Sequence, residues 1–157
     1  MKIKKLDIFF HELNVDDIYN MTVILDIDGT LVCSSEKKVN KAVIKIIRKL
    51  QEQNALYIFS NNYNWKRSRE IANDLSLPYI NSPHKKPNKK ILKYIDATCP
   101  IVVIGDKYLT DGLFAQFIEA KHIYIKRYRC KKDSMLDKFT CFLDDLVYVI
   151  VKILHIV

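Results

Sequence analysis

Three apolar runs in this sequence each end in polar side chains, and those endings hold the residues best suited to chemistry. Val23, Ile24 and Leu25 lead into Asp26 and Asp28, with Gly29 and Thr30 following (VILDIDGTLV). Ala55 to Phe59 leads into Ser60, Asn61 and Asn62, and Ile101 to Ile104 leads into Gly105 and Asp106. A basic loop adds Lys86. An isolated Asp-Gly pair is ordinarily just a turn. Two carboxylates as close as Asp26 and Asp28, however, repel unless one is protonated or a cation lies between them, and Mg²⁺ would offset that cost. The set suits phosphate-monoester hydrolysis, one of the slowest uncatalysed reactions and one that needs strong electrostatic stabilisation. A carboxylate nucleophile divides the reaction into two steps, and a second carboxyl protonates the leaving oxygen and then activates water. A hydroxyl and an amide hydrogen-bond the phosphoryl oxygens, while a lysine and Mg²⁺ neutralise their charge.

These residues need a scaffold that brings three strand ends together. Fully apolar runs read as strands buried on both faces of a parallel sheet, and open α/β sheets place ligands just beyond the carboxyl ends of such strands. The segments between them alternate accordingly. Val39 to Gln53 carries apolar residues at helical spacing with Lys and Arg opposite, and Trp65 to Leu75 reads as a helix capped by Asn64. Leu77 to Ile80 reads as an edge strand around Pro78, Asn88 to Ile95 as a helix, and Thr110 to Glu119 as a helix capped by Thr110. Ile123 to Ile125 is a further strand, and an apolar helix runs from about Ser134 toward Val157. Met1 to Asn20 is a lead-in whose Phe9, Phe10 and Leu13 can pack across the sheet edge. The pattern predicts one α/β domain over residues 1–157, a Rossmann-like α/β/α sandwich around a mostly parallel five-stranded sheet.

DIDGT at Asp26–Thr30 resembles the first motif of the haloacid dehalogenase (HAD) superfamily, whose commonest members are Mg²⁺-dependent phosphatases. The resemblance implies Asp26 as nucleophile and Asp28 as general acid/base, with the Asp28 backbone carbonyl on Mg²⁺. It places Thr30 at the turn position of the motif, Ser60 and Asn61 at the phosphoryl-binding second motif, and Lys86 as the third-motif lysine. Asp106 becomes a Mg²⁺ ligand, and Asp111 a ligand or the residue that orients one. SNN, LPYI, Lys86-Pro87 and VVIGDKYLTD further resemble the capless subclass IIIA branch, which includes relatives of the phosphatidylglycerophosphate phosphatase. Lys86 fits better than Lys85 because it is the lysine that precedes Pro87. The gaps Cys33–Asn54 and Asn62–Lys85 are too short for an inserted cap, so the resemblance implies an open site for a bulky substrate.

The chain has 157 residues and carries 26 Lys and Arg against 18 Asp and Glu, a formal charge of +8 that favours anionic partners. At 49% hydrophobic and 28% charged it reads as globular rather than disordered. The groups around Lys85, Lys89, Lys90 and Arg127 to Lys132 allow contact with a membrane surface or nucleic acid, or form a solvated face. The C-terminal helix is too short and too charged to span a bilayer; it packs on the sheet or lies at an interface. Cys33, Cys99, Cys130 and Cys141 form no CxxC pair and read as reduced thiols, which places the chain in the cytoplasm or another reducing compartment, not secreted. The histidines show no metal spacing. Three functions stay open: a Mg²⁺-dependent phosphatase for a phosphatidylglycerophosphate-type lipid, a phosphatase for nucleic-acid ends or phosphoproteins, and a HAD-fold binding protein without turnover.

Overall fold

The apolar strand Thr22–Leu25 (β2) is buried at every position and lies between Ala55–Ile58 (β3) and Ile101–Gly105 (β4), paired in parallel with both. The structure is a computed structural model and describes residues 3–153. Beyond β4 come Lys121–Tyr124 (β5) and then Ile3–Lys5 (β1), giving the order β1-β5-β4-β2-β3 with every pairing parallel. Because side chains alternate along a strand, each strand feeds two cores. Val23 and Leu25 point into a cluster with Val102 and Ile104. Ile24 and Val103 point the other way, toward Phe59, Ile91 and Phe114.

The first face is covered by Lys41–Gln51 (α1) through Val43, Ile47 and Leu50, and by Ile71 and Ala72 of Trp65–Asp74 (α2). Asn40 caps α1 by accepting from the Ala42 N–H, and Asn64 caps α2 from the Arg67 N–H. The lead-in belongs to this face: Phe10, Leu13, Val15 and Ile18 are all buried in it. The opposite face carries the short helix Leu113–Phe117 (α3) and a 3₁₀ segment, Lys89–Tyr94, where the sequence suggested an ordinary helix from Asn88 to Ile95. Asn88 caps that segment from the Lys90 N–H, but only Ile91 is buried, too narrow an apolar stripe to hold a longer helix.

Other elements also differ from expectation. Leu77 to Ile80 lies along β3 but makes only one bridge, Tyr79 to Ile58, because Pro78 has no N–H to offer a ladder. The helix expected from Thr110 instead begins as a wide turn, Tyr108–Gly112, with the regular helix α3 starting only at Leu113. Thr110 therefore caps nothing; its hydroxyl donates to Asp111 at 3.3 Å. Two cysteines are not free thiols: Cys33 and Cys130, 97 residues apart in sequence, form a disulfide, while Cys99 and Cys141 remain free. Folding brings the turn after β2 against the loop after β5, a proximity that cysteine spacing does not encode.

The last helix is Met135–Ile153 (α4); the remainder of the predicted C-terminal helix, with His155, lies outside the described residues. Asp144 and Tyr148 anchor α4, Tyr148 packing edge-on against Tyr108 and Tyr124. Its other side is open to solvent. Among the described residues no helix is long and apolar enough to cross a membrane.

His122, on β5, is fully buried, and among the described residues neither ring nitrogen has a hydrogen-bond partner. Burial, with a lesser push from Lys86, holds its pKa down at about 3. The folded chain thus keeps this imidazole neutral while the unfolded chain protonates it below about pH 6.5. Stability is expected to fall with acidification from that point toward pH 3, by roughly 1 kcal/mol per pH unit from this group. Urea denaturation of the wild type and His122→Phe at pH 7 and pH 5 checks this: the variant should lose part of the pH dependence, and identical slopes would refute it.

Candidate active site

The parallel pairing of β3, β2 and β4 aligns their carboxyl ends, so Ser60, Asp26 and Asp106 emerge side by side. Asp26 and Asp106 are both buried, as is Asp111, which returns to the same spot through the wide turn after β4. Gly105 makes that return possible, since a Cβ there would lie 2.3 Å from the Asp111 carboxyl carbon. Gly29 has a φ of +86°, and its missing Cβ leaves the room that Asp106 and Arg127 occupy.

Lys86 reaches into this group from its loop. Its Nζ donates to Asp26 Oδ1 at 2.6 Å, to Asp111 Oδ1 at 2.5 Å and to the Phe59 carbonyl at 3.1 Å. Asn61 fixes the loop: its side chain accepts from the Lys86 N–H at 2.8 Å and donates to the Lys86 carbonyl at 2.9 Å. Lys85 points elsewhere, its ammonium 3.3 Å from the centre of the Tyr63 ring. Thr30 is wholly buried beneath the carboxylates and donates to Asp106 Oδ1 at 3.0 Å, with a longer 3.5 Å contact to Asp26 Oδ2.

Asp28 faces a different set. Its carboxylate accepts from Arg67 Nη1 at 2.7 Å, Asn62 Nδ2 at 2.9 Å and Ser60 Oγ at 3.1 Å. Arg67 also donates to the carbonyls of Cys33 and Glu36, tying α2 to the turn that follows β2. Asp106 is paired with Arg127 through Nε, and the Arg127 Nη2 donates to the Asp106 carbonyl at 2.7 Å. The same guanidinium reaches Asp144 at 3.2 Å and Asp145 at 3.4 Å on α4.

The electrostatics follow from burying three carboxylates together. Burial raises the pKa of Asp26 to about 6, opposed by Lys86 and reinforced by Asp111 and Asp28. Burial likewise raises Asp106 against the pull of Arg127, and Asp111 against that of Lys86. Burial works against the Lys86 charge, but Asp111 and Asp26 outweigh it and keep the ammonium protonated. Asp26, Asp106 and Asp111 each offer an oxygen within 4.8 Å of the others. These three hard oxygen donors face Lys86 and Lys107 and an Arg127 that is shared with Asp144 and Asp145, and hard carboxylate oxygens at this spacing are a donor set that a divalent metal ion fits.

Asp26, Thr30, Lys86, Asp106 and Asp111 thus meet in one buried group, with Asp28, Ser60 and Asn61 beside it. Sequence reasoning missed Arg67 and Asn62 as partners of Asp28. Arg67 lies among the polar residues of a helix and looks like an exposed charge; Asn62 stands directly after the serine and amide of the second strand end. Arg127 was legible only as part of a basic stretch. A cleft of about 290 Å³ opens beside Asp28 and Gly29, lined further by Lys107, Arg127, Lys138 and Phe142.

Comparison with known proteins adds a family. A sequence model described as mitochondrial PGP phosphatase matches residues 1–128, which takes in the site residues from Asp26 to Arg127. Searches among curated proteins and among solved structures returned no match.

Proposed function

Since the chain belongs to the mitochondrial PGP phosphatase family and is a phosphatase, we propose that it hydrolyses the phosphomonoester of phosphatidylglycerophosphate with Mg²⁺ through an aspartyl-phosphate on Asp26. The observation that carries this reading is the Asp26 carboxylate, held by Lys86 at 2.6 Å while its Oδ2 has, among the described residues, only the long Thr30 contact. In the first step an Asp26 oxygen bonds to phosphorus and the ester P–O bond breaks. The leaving glycerol oxygen takes its proton from Asp28. In the second, Asp28 accepts a proton from water, the water oxygen attacks phosphorus, and inorganic phosphate leaves as the Asp26 carboxylate is restored.

The remaining residues position and neutralise. Lys86 orients Asp26 and stabilises charge on the transferring group, Ser60 and Asn61 border the phosphoryl oxygens, and Thr30 fixes Asp26 and Asp106 from beneath. Arg67 and Asn62 hold Asp28 in place. Asp26, Asp106 and the backbone carbonyl of Asp28 would hold the metal, with Asp111 as a further ligand or as the partner that orients Lys86. When bound, Mg²⁺ supplies positive charge to the phosphoryl oxygens. The segment between β2 and β3 carries only α1, and that between β3 and Lys86 only α2 and the extended Leu77–Ile80 stretch, which favours a capless HAD-like architecture with an open site.

Phosphate release from phosphatidylglycerophosphate in mixed micelles tests this. Release should require added Mg²⁺, stop with a chelator and fall by about 100-fold or more in Asp106→Asn. Release unaffected by the chelator would contradict the metal assignment, and release from a 3′-phosphorylated oligonucleotide but not from lipid would contradict the substrate.

A further inference from the structure

We propose that the exposed face of α4 seats the protein on an anionic lipid surface, with the cleft beside Asp28 opening at its edge; this rests on the lipid-phosphatase reading only for what enters the cleft. The helix lies beyond the residues that the family model matches.

Phe139, Phe142, Leu143, Leu146, Val149 and Ile150 recur along α4 at intervals of three or four residues, so they share one side of the helix. All are solvent-exposed; Phe142 is 62% accessible and Leu146 46%. Met135, Leu136 and Ile153 extend the same strip. On a helix of roughly 28 Å, that is an apolar face larger than a solvated helix presents without a partner. The helix cannot insert across a bilayer, because Asp144 and Tyr148 dock its opposite side on the protein. A helix that is docked on one side and apolar on the other suits lying in the plane of a lipid interface.

Charge identifies the occupant. The acidic residues of α4 are satisfied within the protein. Asp137 accepts from the Ser134 backbone N–H and hydroxyl, Asp144 from the Tyr108 and Leu109 N–H groups, and Asp145 pairs with Arg127 and Arg129. Lys131, Lys132, Lys138 and Lys152 are exposed, and among the described residues none has a carboxylate partner. Against these four lysines stand the carboxylates of Asp133 and Asp137, which are hydrogen-bonded to Ser35, Cys130 and Ser134 but to no cation among the described residues, so the net charge around the apolar strip is positive, which an anionic bilayer complements. A second copy meeting the same face would set this excess of lysines against an identical excess.

The cleft joins this surface to the chemistry. Lys138 and Phe142 line it from α4, Arg127 and Arg129 from the segment after β5, and Asp28 and Gly29 from the catalytic motif. Asp133, Asp137 and Asp145 line it too, the last paired with Arg127 and Arg129, and Lys107 and Lys138 add cations that a phosphorylated headgroup lifted from the bilayer at the Phe142 edge can meet.

The test is co-sedimentation of the full chain with vesicles of phosphatidylcholine alone, or with about a quarter phosphatidylglycerol. The protein should bind the anionic vesicles, bind weakly to the neutral ones, and come off as NaCl is raised to about 0.5 M. Leu146→Glu/Ile150→Glu should lower the affinity by about a hundredfold, since two exposed apolar side chains lose their burial. If that variant has lost its cooperative thermal transition, the milder Leu146→Ser gives the same reading with about a tenfold loss. Asp26→Asn should bind like the wild type, so vesicle binding stands or falls independently of turnover. No binding to anionic vesicles, or equal binding by the α4 variants, would overturn the proposal. So would a concentration-dependent dimer abolished by Leu146→Glu, which would assign the face to a second copy.

Discussion

Asp26→Asn is expected to abolish phosphate release, by about 10⁴-fold or more, while leaving the protein folded. The amide has the size of the carboxylate but cannot attack phosphorus. Folding should survive because the removed charge is one that burial disfavours, as the raised pKa of about 6 shows. Lys86 keeps Asp111 and the Phe59 carbonyl as partners. The thermal midpoint without metal should therefore stay level or rise. A folded Asp26→Asn protein with wild-type turnover would remove Asp26 from the mechanism. A protein that fails to fold would show that the carboxylate is needed to neutralise Lys86.

Lys86→Met should do the opposite to stability. Its ammonium has no exposed surface and is the cation between Asp26 and Asp111. Removing it leaves two buried carboxylates facing each other, a change expected to cost about 3–5 kcal/mol. Turnover should fall as well, because Asp26, the proposed nucleophile, loses the group that orients it. The two effects separate in a second variant. Adding Asp111→Asn to Lys86→Met should recover much of the stability, since one of the facing charges is gone, but none of the activity. Denaturant unfolding of the two single variants and the double variant reads the first effect, and phosphate release reads the second. Equal stability of Lys86→Met and the wild type would mean that the carboxylates are already protonated around it.

The strands and their endings were legible because burial on both faces leaves an unbroken apolar run, and that run breaks where the side chains turn polar to line the site. Val23–Asp26 and Ile101–Asp106 carry that signature directly. The helices α1 and α2 were legible from apolar spacing and from Asn40 and Asn64 as caps. Weaker elements were not. Lys89–Tyr94 and Tyr108–Gly112 are held by contacts made elsewhere in the fold, Ile91 in the core and Asp111 against Lys86, and local periodicity cannot report those. The same holds for the partners of Asp28 and Asp106. Arg67 and Arg127 come from distant segments, and a lone arginine in a polar stretch looks the same whether it ends in solvent or beneath an aspartate. The Cys33–Cys130 disulfide was hidden for the same reason. The solvent-facing strip of α4 was visible as apolar sequence, but only the docked Asp144 and Tyr148 show which side is left bare.

The proposed mechanism requires a covalent bond between Asp26 and the phosphoryl group. The most direct measurement is to mix the protein with phosphatidylglycerophosphate and Mg²⁺, quench with acid during turnover, and determine by peptide mass where phosphate is attached. The predicted result is a phosphoryl group on the peptide carrying Asp26, chased off by hydroxylamine and absent from Asp26→Asn. Phosphate released at a steady rate with no such adduct, or an adduct on another residue, would contradict it.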